Sequence, residues 1–235
     1  MGKSAAVILA AGKGTRMGSQ VHKQYLELLG KPMLYYAIKA FETSTIDEII
    51  LVTGPGETDF CHKEIVERYG FTKVKAVCEG GKERYHSVYE GLKAVSDCEY
   101  VLIHDGARPC ITSEIIEDAI TGAMKYKACV VGMPVKDTIK ISDENEYADI
   151  TPDRNRLWQI QTPQAFEYEL VYNAYKKLLS SEAFQEGITD DAMVVETMTQ
   201  EKVKLIRGDY SNMKVTTPED MEIAGVLLNR IYGRK

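Results

Sequence analysis

The apolar positions of this chain fall in short runs that repeatedly stop at turns rich in glycine or acid. The first run, residues 5–11, stops at Gly12, and Gly14 and Gly18 follow in quick succession. An unbroken apolar run closed by a glycine turn predicts a strand buried on both faces. The pattern recurs at 48–52, 74–77, 100–103 and 128–133, and these runs stop at Thr53-Gly54-Pro55-Gly56, Glu79-Gly80-Gly81, His104-Asp105-Gly106 and Pro134 respectively. Between them the period lengthens to that of a helix. Pro32 opens one such segment at 33–41, with Leu34, Ala37, Ile38 and Phe41 on one face. Others lie at 61–69, stopped by Gly70, and at 84–95, with Val88, Leu92 and Val95 inward. A further helix starts after Thr112 or Ser113 as cap.

Strands alternating with helices predict βαβ units, hence an α/β fold on a mostly parallel sheet with helices on both faces. Ligands of such sheets bind outside the carboxyl ends of the strands. Gly12, Gly80-Gly81 and Asp105 each lie just past such an end, so the pattern predicts one shared site.

From residue 136 to about 160 the character changes. Thr138-Ile139-Lys140-Ile141 alternates, Asp143-Glu144-Asn145-Glu146 makes a polar turn, and 147–150 returns. This reads as a β-hairpin arm with little of its own to bury, which predicts that it packs on a second copy of the protein; an exposed loop is the plainer alternative. Helices at 167–179 and 190–198, a strand at 202–206 and a last helix capped at Thr217-Pro218-Glu219-Asp220 complete the chain. No repeat or linker divides it, so residues 1–235 are expected to form one domain carrying an arm.

Composition narrows the function. The 235 residues carry a formal net charge of −6 and a pI of about 5.4, so the cationic glycine loop is a local site and not part of a nucleic-acid surface. The five cysteines are odd in number and widely spaced, with no C-x-x-C pair, as expected of reduced thiols in a cytoplasmic protein. The apolar run at 5–11 is too short to span a bilayer, and no membrane partner is expected.

Lys13, Arg16 and Lys23 surround the glycine loop, whose backbone N–H groups could approach an anion closely; a polyphosphate fits. The G-x-G-x-x-x-G spacing is not that of a dinucleotide loop, and a Walker A pattern is absent. Asp105 suits ribose hydroxyls, a metal ion or a polar substrate, or else an Asx-turn cap. His104 is either catalytic or packed beside its strand. Gly80-Gly81 could expose backbone groups to a base edge, with Ser87 one turn into the next helix, or could be a plain turn. Arg154, Arg156 and Lys214 are candidates for a second phosphate, each alone being more commonly a solvated charge. Trp158 reads as a packing anchor, and Thr189-Asp190-Asp191 as a helix cap.

Taken together, Ala10-Ala11-Gly12-x-Gly14-x-Arg16-Met17, Lys23-Gln24, Gly80-Gly81-x-x-Arg84-x-x-Ser87, His104-Asp105-x-Ala107-Arg108-Pro109, Asp153-Arg154-Asn155, Thr162-Pro163-Gln164 and Lys214-Val215-Thr216 resemble the 2-C-methyl-D-erythritol 4-phosphate cytidylyltransferases. The resemblance runs in order over nearly the whole chain. It implies a Rossmann-like nucleotidyltransferase sheet with a protruding dimerisation arm, and attack of the sugar-alcohol phosphate on the α-phosphorus of CTP with loss of pyrophosphate. It implies catalytic roles for Arg16, Lys23 and Lys214. Ala10, Ala11, Gly12, Lys13, Gly14, Gly81, Ser87 and Asp105 would bind CTP. Asp105, Arg108, Thr162, Thr189 and Lys214 would bind the substrate, joined by Arg154 from the other subunit of a homodimer. Mg²⁺ would ride mainly on the triphosphate, with no protein ligand assigned.

Two departures stand out: His22 where the family commonly has proline, and Lys82 where an acid often follows the glycine pair. An ammonium cannot accept a hydrogen bond from a cytosine amino group. The nearest rival is a ribitol-5-phosphate cytidylyltransferase. A nucleotide sensor without turnover would have no need of transition-state cations, and a dehydrogenase would need a ribose-binding acid where Thr53-Gly54 stands.

Overall fold

The computed structural model describes residues 2–12 and 22–233. Strand β1 (Ser4–Ala10) is followed by a small hairpin of β2 (Glu27–Leu28) and β3 (Lys31–Pro32), then helix α1 (Met33–Glu42) and strand β4 (Glu48–Thr53). Helix α2 (Thr58–Cys61) runs on as a π-helical stretch, His62–Glu67, before strand β5 (Val74–Glu79). Helix α3 (Arg84–Ala94), strand β6 (Tyr100–Asp105), helix α4 (Ser113–Tyr126) and strand β7 (Ala128–Pro134) follow. The arm carries β8 (Ile141–Ser142) and β9 (Ala148–Ile150), and β10 (Trp158–Glu167) leads back. Helices α5 (Tyr168–Leu178) and α6 (Asp191–Met198), strand β11 (Lys204–Arg207) and helix α7 (Pro218–Tyr232) end the described chain.

The central sheet has seven strands in the order β11-β7-β10-β6-β1-β4-β5. β1 pairs in parallel with both β4 and β6, β4 with β5, and β7 with β11, as the strand–helix alternation requires. Period-two alternation divides the core between the faces. Ala6, Ile8, Ile49 and Leu51 point to the side covered by α1 and α4, where Phe41 and Ile116 are fully buried. Ala5, Val7, Ile50 and Val52 point to the other, under Val88 and Leu92 of α3 and Tyr175 of α5.

The pattern of residues does not predict β10, yet it sits between β6 and β7 and is antiparallel to both. Gln159, Gln161 and Gln164 break the apolar run, and Pro163 cannot donate to a ladder, so this stretch does not read as an interior strand. The structure tolerates Pro163 because the register to β7 slips between Ile160 and Gln164. The buried amides are also satisfied: Gln161 donates to the carbonyl of Asp209 at 2.8 Å, and Gln164 donates to Asp190 at 2.9 Å.

A hairpin is present within the expected arm, but its paired strands cover only Ile141–Ser142 and Ala148–Ile150, shorter than the alternation predicts, and residues 158–160 belong to β10 of the central sheet, where they pair with β7. Its apolar residues Ile139, Ile141, Tyr147 and Ile150 are exposed in the single chain. All five cysteines are free, and burial pushes the thiols of Cys98, Cys110 and Cys129 up to about 12, which keeps them protonated. Among the described residues no helix is long and apolar enough to cross a membrane.

Candidate active site

A cavity of about 610 Å³ opens at the carboxyl end of the sheet, beyond β1, β5 and β6. Ala10, Ala11 and Gly12 form one wall, Gly80, Gly81 and Ser87 another, and Asp105, Lys23 and Lys214 close the floor. The glycine wall is tight. A Cβ on Gly80 would lie 2.5 Å from Ser87 Oγ and 2.8 Å from Ala11 Cβ, so only glycine lets the β5 end approach the β1 end here. Ser87 Oγ accepts the N–H of Gly81 at 3.1 Å, which ties the turn to the first turn of α3. Glu83 caps that helix in a reciprocal box with His86.

Asp105 is the buried anion at the centre. Burial by itself would raise its carboxyl, but the nearby Arg84, Lys214 and Arg108 charges outweigh this and hold it well below the usual carboxylate range. Lys214 Nζ donates to Oδ2 at 2.8 Å, Arg84 Nε lies 3.4 Å from Oδ1, and Arg108 Nε stands 3.9 Å from Oδ2. With three cations around one carboxylate, the site is electropositive where an anion would arrive.

Two networks fix these groups from behind. In the first, the Asp105 N–H donates to Thr162 Oγ1 at 3.1 Å, so the hydroxyl proton is free to go to His104 Nδ1, also at 3.1 Å. His104 Nε2 then carries the proton and donates to the Arg108 carbonyl at 3.3 Å. Burial pushes the His104 imidazole down to about 4, so it is neutral in this relay, and its ring packs on Phe41. In the second network, Gln164 grips the start of α6, donating to Asp190 and accepting the N–H of Ala192 at 2.7 Å. This sets Asp191, which is fully buried, to receive Arg84 bidentately at 2.7 and 2.8 Å.

Lys23 and Lys214 come from opposite ends of the chain and meet through Val215. The Val215 N–H donates to Ala107 at 2.8 Å, and its carbonyl accepts Lys23 Nζ at 3.0 Å. Arg108 donates to the carbonyl of Asn212 at 2.9 Å, stitching the Asp105 loop to the segment that bears Lys214.

A family model described as 2-C-methyl-D-erythritol 4-phosphate cytidylyltransferase matches residues 4–230. The chain belongs to this family. Relatives with that name include one from Caldanaerobacter subterraneus subsp. tengcongensis, 52% identical over 96% of this chain and 98% of its own length. Another, from Lachnospira eligens, is 51% identical over 95% and 98%. Among solved structures, the 4-diphosphocytidyl-2C-methyl-D-erythritol synthase of Anaerococcus prevotii superposes with a TM-score of 0.84 at 39% identity, covering 97% of this chain and 96% of that one. The 2-C-methyl-D-erythritol 4-phosphate cytidylyltransferase from Thermus thermophilus gives 0.77 at 26% identity, covering 95% and 98%.

Against the residues that the family resemblance marks out, the structure brings Ala10, Ala11, Gly12, Lys23, Gly81, Ser87, Asp105 and Lys214 to one cavity. Lys13, Gly14 and Arg16 lie outside the described residues. Arg108 and Thr162 stand behind Asp105, where Arg108 donates to the Asn212 carbonyl through one terminal nitrogen and Thr162 Oγ1 accepts the Asp105 N–H. Thr189 is exposed just before α6, and Arg154 is exposed on the arm, where it donates to the Lys136 carbonyl at 3.1 Å. His104 takes the packed alternative, Asp190 is the cap of α6, and Trp158 is half-buried at the start of β10. Sequence reasoning passed over Arg84 and Asp191 as site residues. Arg84 was visible in the motif after the glycine pair; Asp191 was hidden by its neighbour Asp190, which satisfies the capping pattern by itself.

Proposed function

We infer that this protein transfers the cytidylyl group of CTP to 2-C-methyl-D-erythritol 4-phosphate, giving 4-diphosphocytidyl-2-C-methylerythritol and pyrophosphate for isoprenoid precursor synthesis. The observation that carries the reading within the family is the meeting of Lys23, Lys214 and Asp105 with the Gly80-Gly81 wall in one cavity. Gly81 and Ser87 face the place for the base, Asp105 the ribose and the substrate, and the two lysines the phosphates. An oxygen of the substrate phosphate attacks the α-phosphorus in line. The bond to the bridging oxygen breaks on the opposite side, and its electrons leave with pyrophosphate. No proton needs to be removed from a phosphate that is already an anion, so the protein's task is placement and charge stabilisation.

Lys23 and Lys214 supply fixed positive charge to the oxygens of the α-phosphate, and Arg16 adds to it by the family resemblance. Asp105, already matched by its cations, is free to accept hydroxyl donors without changing its ionisation. Mg²⁺ neutralises the triphosphate when bound. The cavity fits an ion that arrives on the nucleotide, because Asp105 Oδ2 is already engaged by Lys214 and no caging cluster of carboxylates, histidines or cysteines occurs among the described residues. Arg154 on the arm serves the site of a second subunit in a homodimer, and the protein acts in the cytoplasm.

Pyrophosphate release from CTP and Mg²⁺ tests the reading, with methylerythritol phosphate compared against ribitol 5-phosphate. Turnover with the first is the expected result. Turnover only with the second would replace the acceptor, and release with neither would leave a nucleotide-binding module.

A further inference from the structure

Lys23 opens a three-residue 3-10 turn, Lys23–Tyr25, and both ends of that turn lead to one carboxylate. Immediately before the turn, His22 Nδ1 lies 2.5 Å from Glu57 Oε1. At its end, the Tyr25 hydroxyl donates to Glu57 Oε2 at 3.0 Å. That same oxygen accepts the N–H of Gly54 at 3.0 Å, which anchors Glu57 to the turn after β4. The His22 contact is one of proximity, the buried Nδ1 lying against the carboxylate without the alignment of a hydrogen bond. The Tyr25 ring meets Phe60 edge-on at 5.1 Å, which closes the apolar side of the cluster.

Between these two anchors, the Gln24 amide donates to the Ala10 carbonyl at the end of β1, and Lys23 Nζ reaches Val215. The turn is therefore pinned to the sheet, to the β4 turn and to the Lys214 segment at once. His22 adopts φ −59°, the angle to which a proline ring would hold the backbone. Histidine leaves this torsion free, so here the side chain packed against Glu57 stands in for the ring.

We propose that Glu57, acting through His22 and Tyr25, is a positioning residue for Lys23 at the triphosphate of CTP. The proposal rests on the reading of Lys23 given above. Glu57→Gln keeps an acceptor for Gly54 and Tyr25 and removes the charge that His22 meets. His22→Ala removes the other half of the same link. Each is expected to lower kcat/KM for CTP about tenfold, a cost in the range of small misplacements of a reactive group. KM for the sugar-alcohol phosphate should move less than about twofold, and the double variant should be no worse than the poorer single one, because both cut one link. His22→Pro, which restores the backbone restraint without the side chain, should recover most of the loss; a purely structural role would show in the melting temperature without this selectivity for CTP.

Unchanged kcat/KM for CTP in folded Glu57→Gln and His22→Ala overturns the proposal, as do fully additive losses or a His22→Pro variant as impaired as His22→Ala. Lys23→Ala, run in parallel, is expected to lose about a hundredfold or more in kcat. A silent Lys23→Ala would remove the underlying reading of Lys23. A crippled Lys23→Ala beside silent Glu57 and His22 variants would remove only the positioning role.

Discussion

The guanidinium of Arg84 lies in a fork with the carboxylate of Asp191, at 2.7 and 2.8 Å, while its Nε turns towards Asp105 at 3.4 Å. One cation thus joins a fully buried aspartate to the aspartate that faces the cavity. The Tyr175 hydroxyl also donates to Asp191, which leaves this carboxylate little freedom. Arg84 is held strongly in its charged form: burial opposes this, but the Asp191 and Asp105 charges prevail.

Removing the charge of Asp191 should therefore act on both stability and activity. Asp191→Asn leaves the half-buried Arg84 with a poorer partner at a fully buried position and is expected to cost about 3 kcal/mol, read from the midpoint of urea unfolding. Activity should fall as well, because Asp105 loses the support of a fixed cation. Arg84→Lys keeps a charge but not the planar fork, so it should lose Asp105 alignment and raise KM for CTP. A stable and fully active Asp191→Asn would show that the fork is incidental.

Thr162 gives a second test, since its hydroxyl accepts from Asp105 and faces His104 while the side chain stays buried. Thr162→Val keeps the shape and strands both partners. A cost of about 1–3 kcal/mol is expected from the unsatisfied groups. If Thr162 acts only by holding Asp105, the variant should raise KM for CTP and for the sugar-alcohol phosphate together. A rise for the sugar-alcohol phosphate alone would instead indicate direct contact with that substrate.

The parts of this architecture that were legible in the sequence are those written in local patterns. The apolar runs of β1, β4, β6 and β7 and the helical face of α1 follow from periodicity, and the glycines after β1 and β5 mark the rim where the cavity opens. What periodicity could not reveal depends on long-range pairing. β10 carries glutamines whose amides are satisfied by Asp190, Ala192, Asp209 and Asn212, residues far along the chain. Asp191 is silent in sequence for the same reason: its partner Arg84 is 107 residues away. The role of Glu57 is likewise invisible until the β4 turn is folded against His22 and Tyr25.

The neutral His104 predicts an acid limb in stability. Burial lowers its imidazole from 6.5 to about 4, so between these values the unfolded chain binds a proton that the native chain does not. The stabilisation is complete above about pH 6.5 and declines as pH falls towards 4, by about 3 kcal/mol over the full window. Melting curves from pH 7 to 4.5 should show this decline. His104→Gln, which does not titrate, should lower stability at pH 7 but flatten the slope. An equal slope in the variant would assign the acid limb to other groups.

The arm leaves Ile139, Ile141, Tyr147 and Ile150 exposed by 40, 49, 74 and 52%, on a hairpin too small to be stable by its own burial. If a second copy covers these residues and receives Arg154, each site is built from two chains. Deleting 136–156 should then give a monomer without turnover, and an active monomer would contradict shared sites. Complementation separates the two roles of the arm. Lys23→Ala and Arg154→Ala chains, each impaired as a homodimer, form on mixing a heterodimer in which one site has Lys23 from one chain and Arg154 from the other. Random exchange makes half the dimers mixed with one intact site each, so about a quarter of the native activity should return. Mixing without any recovery, while exchange of subunits is demonstrated by mass, would place Arg154 in its own chain's site or in none.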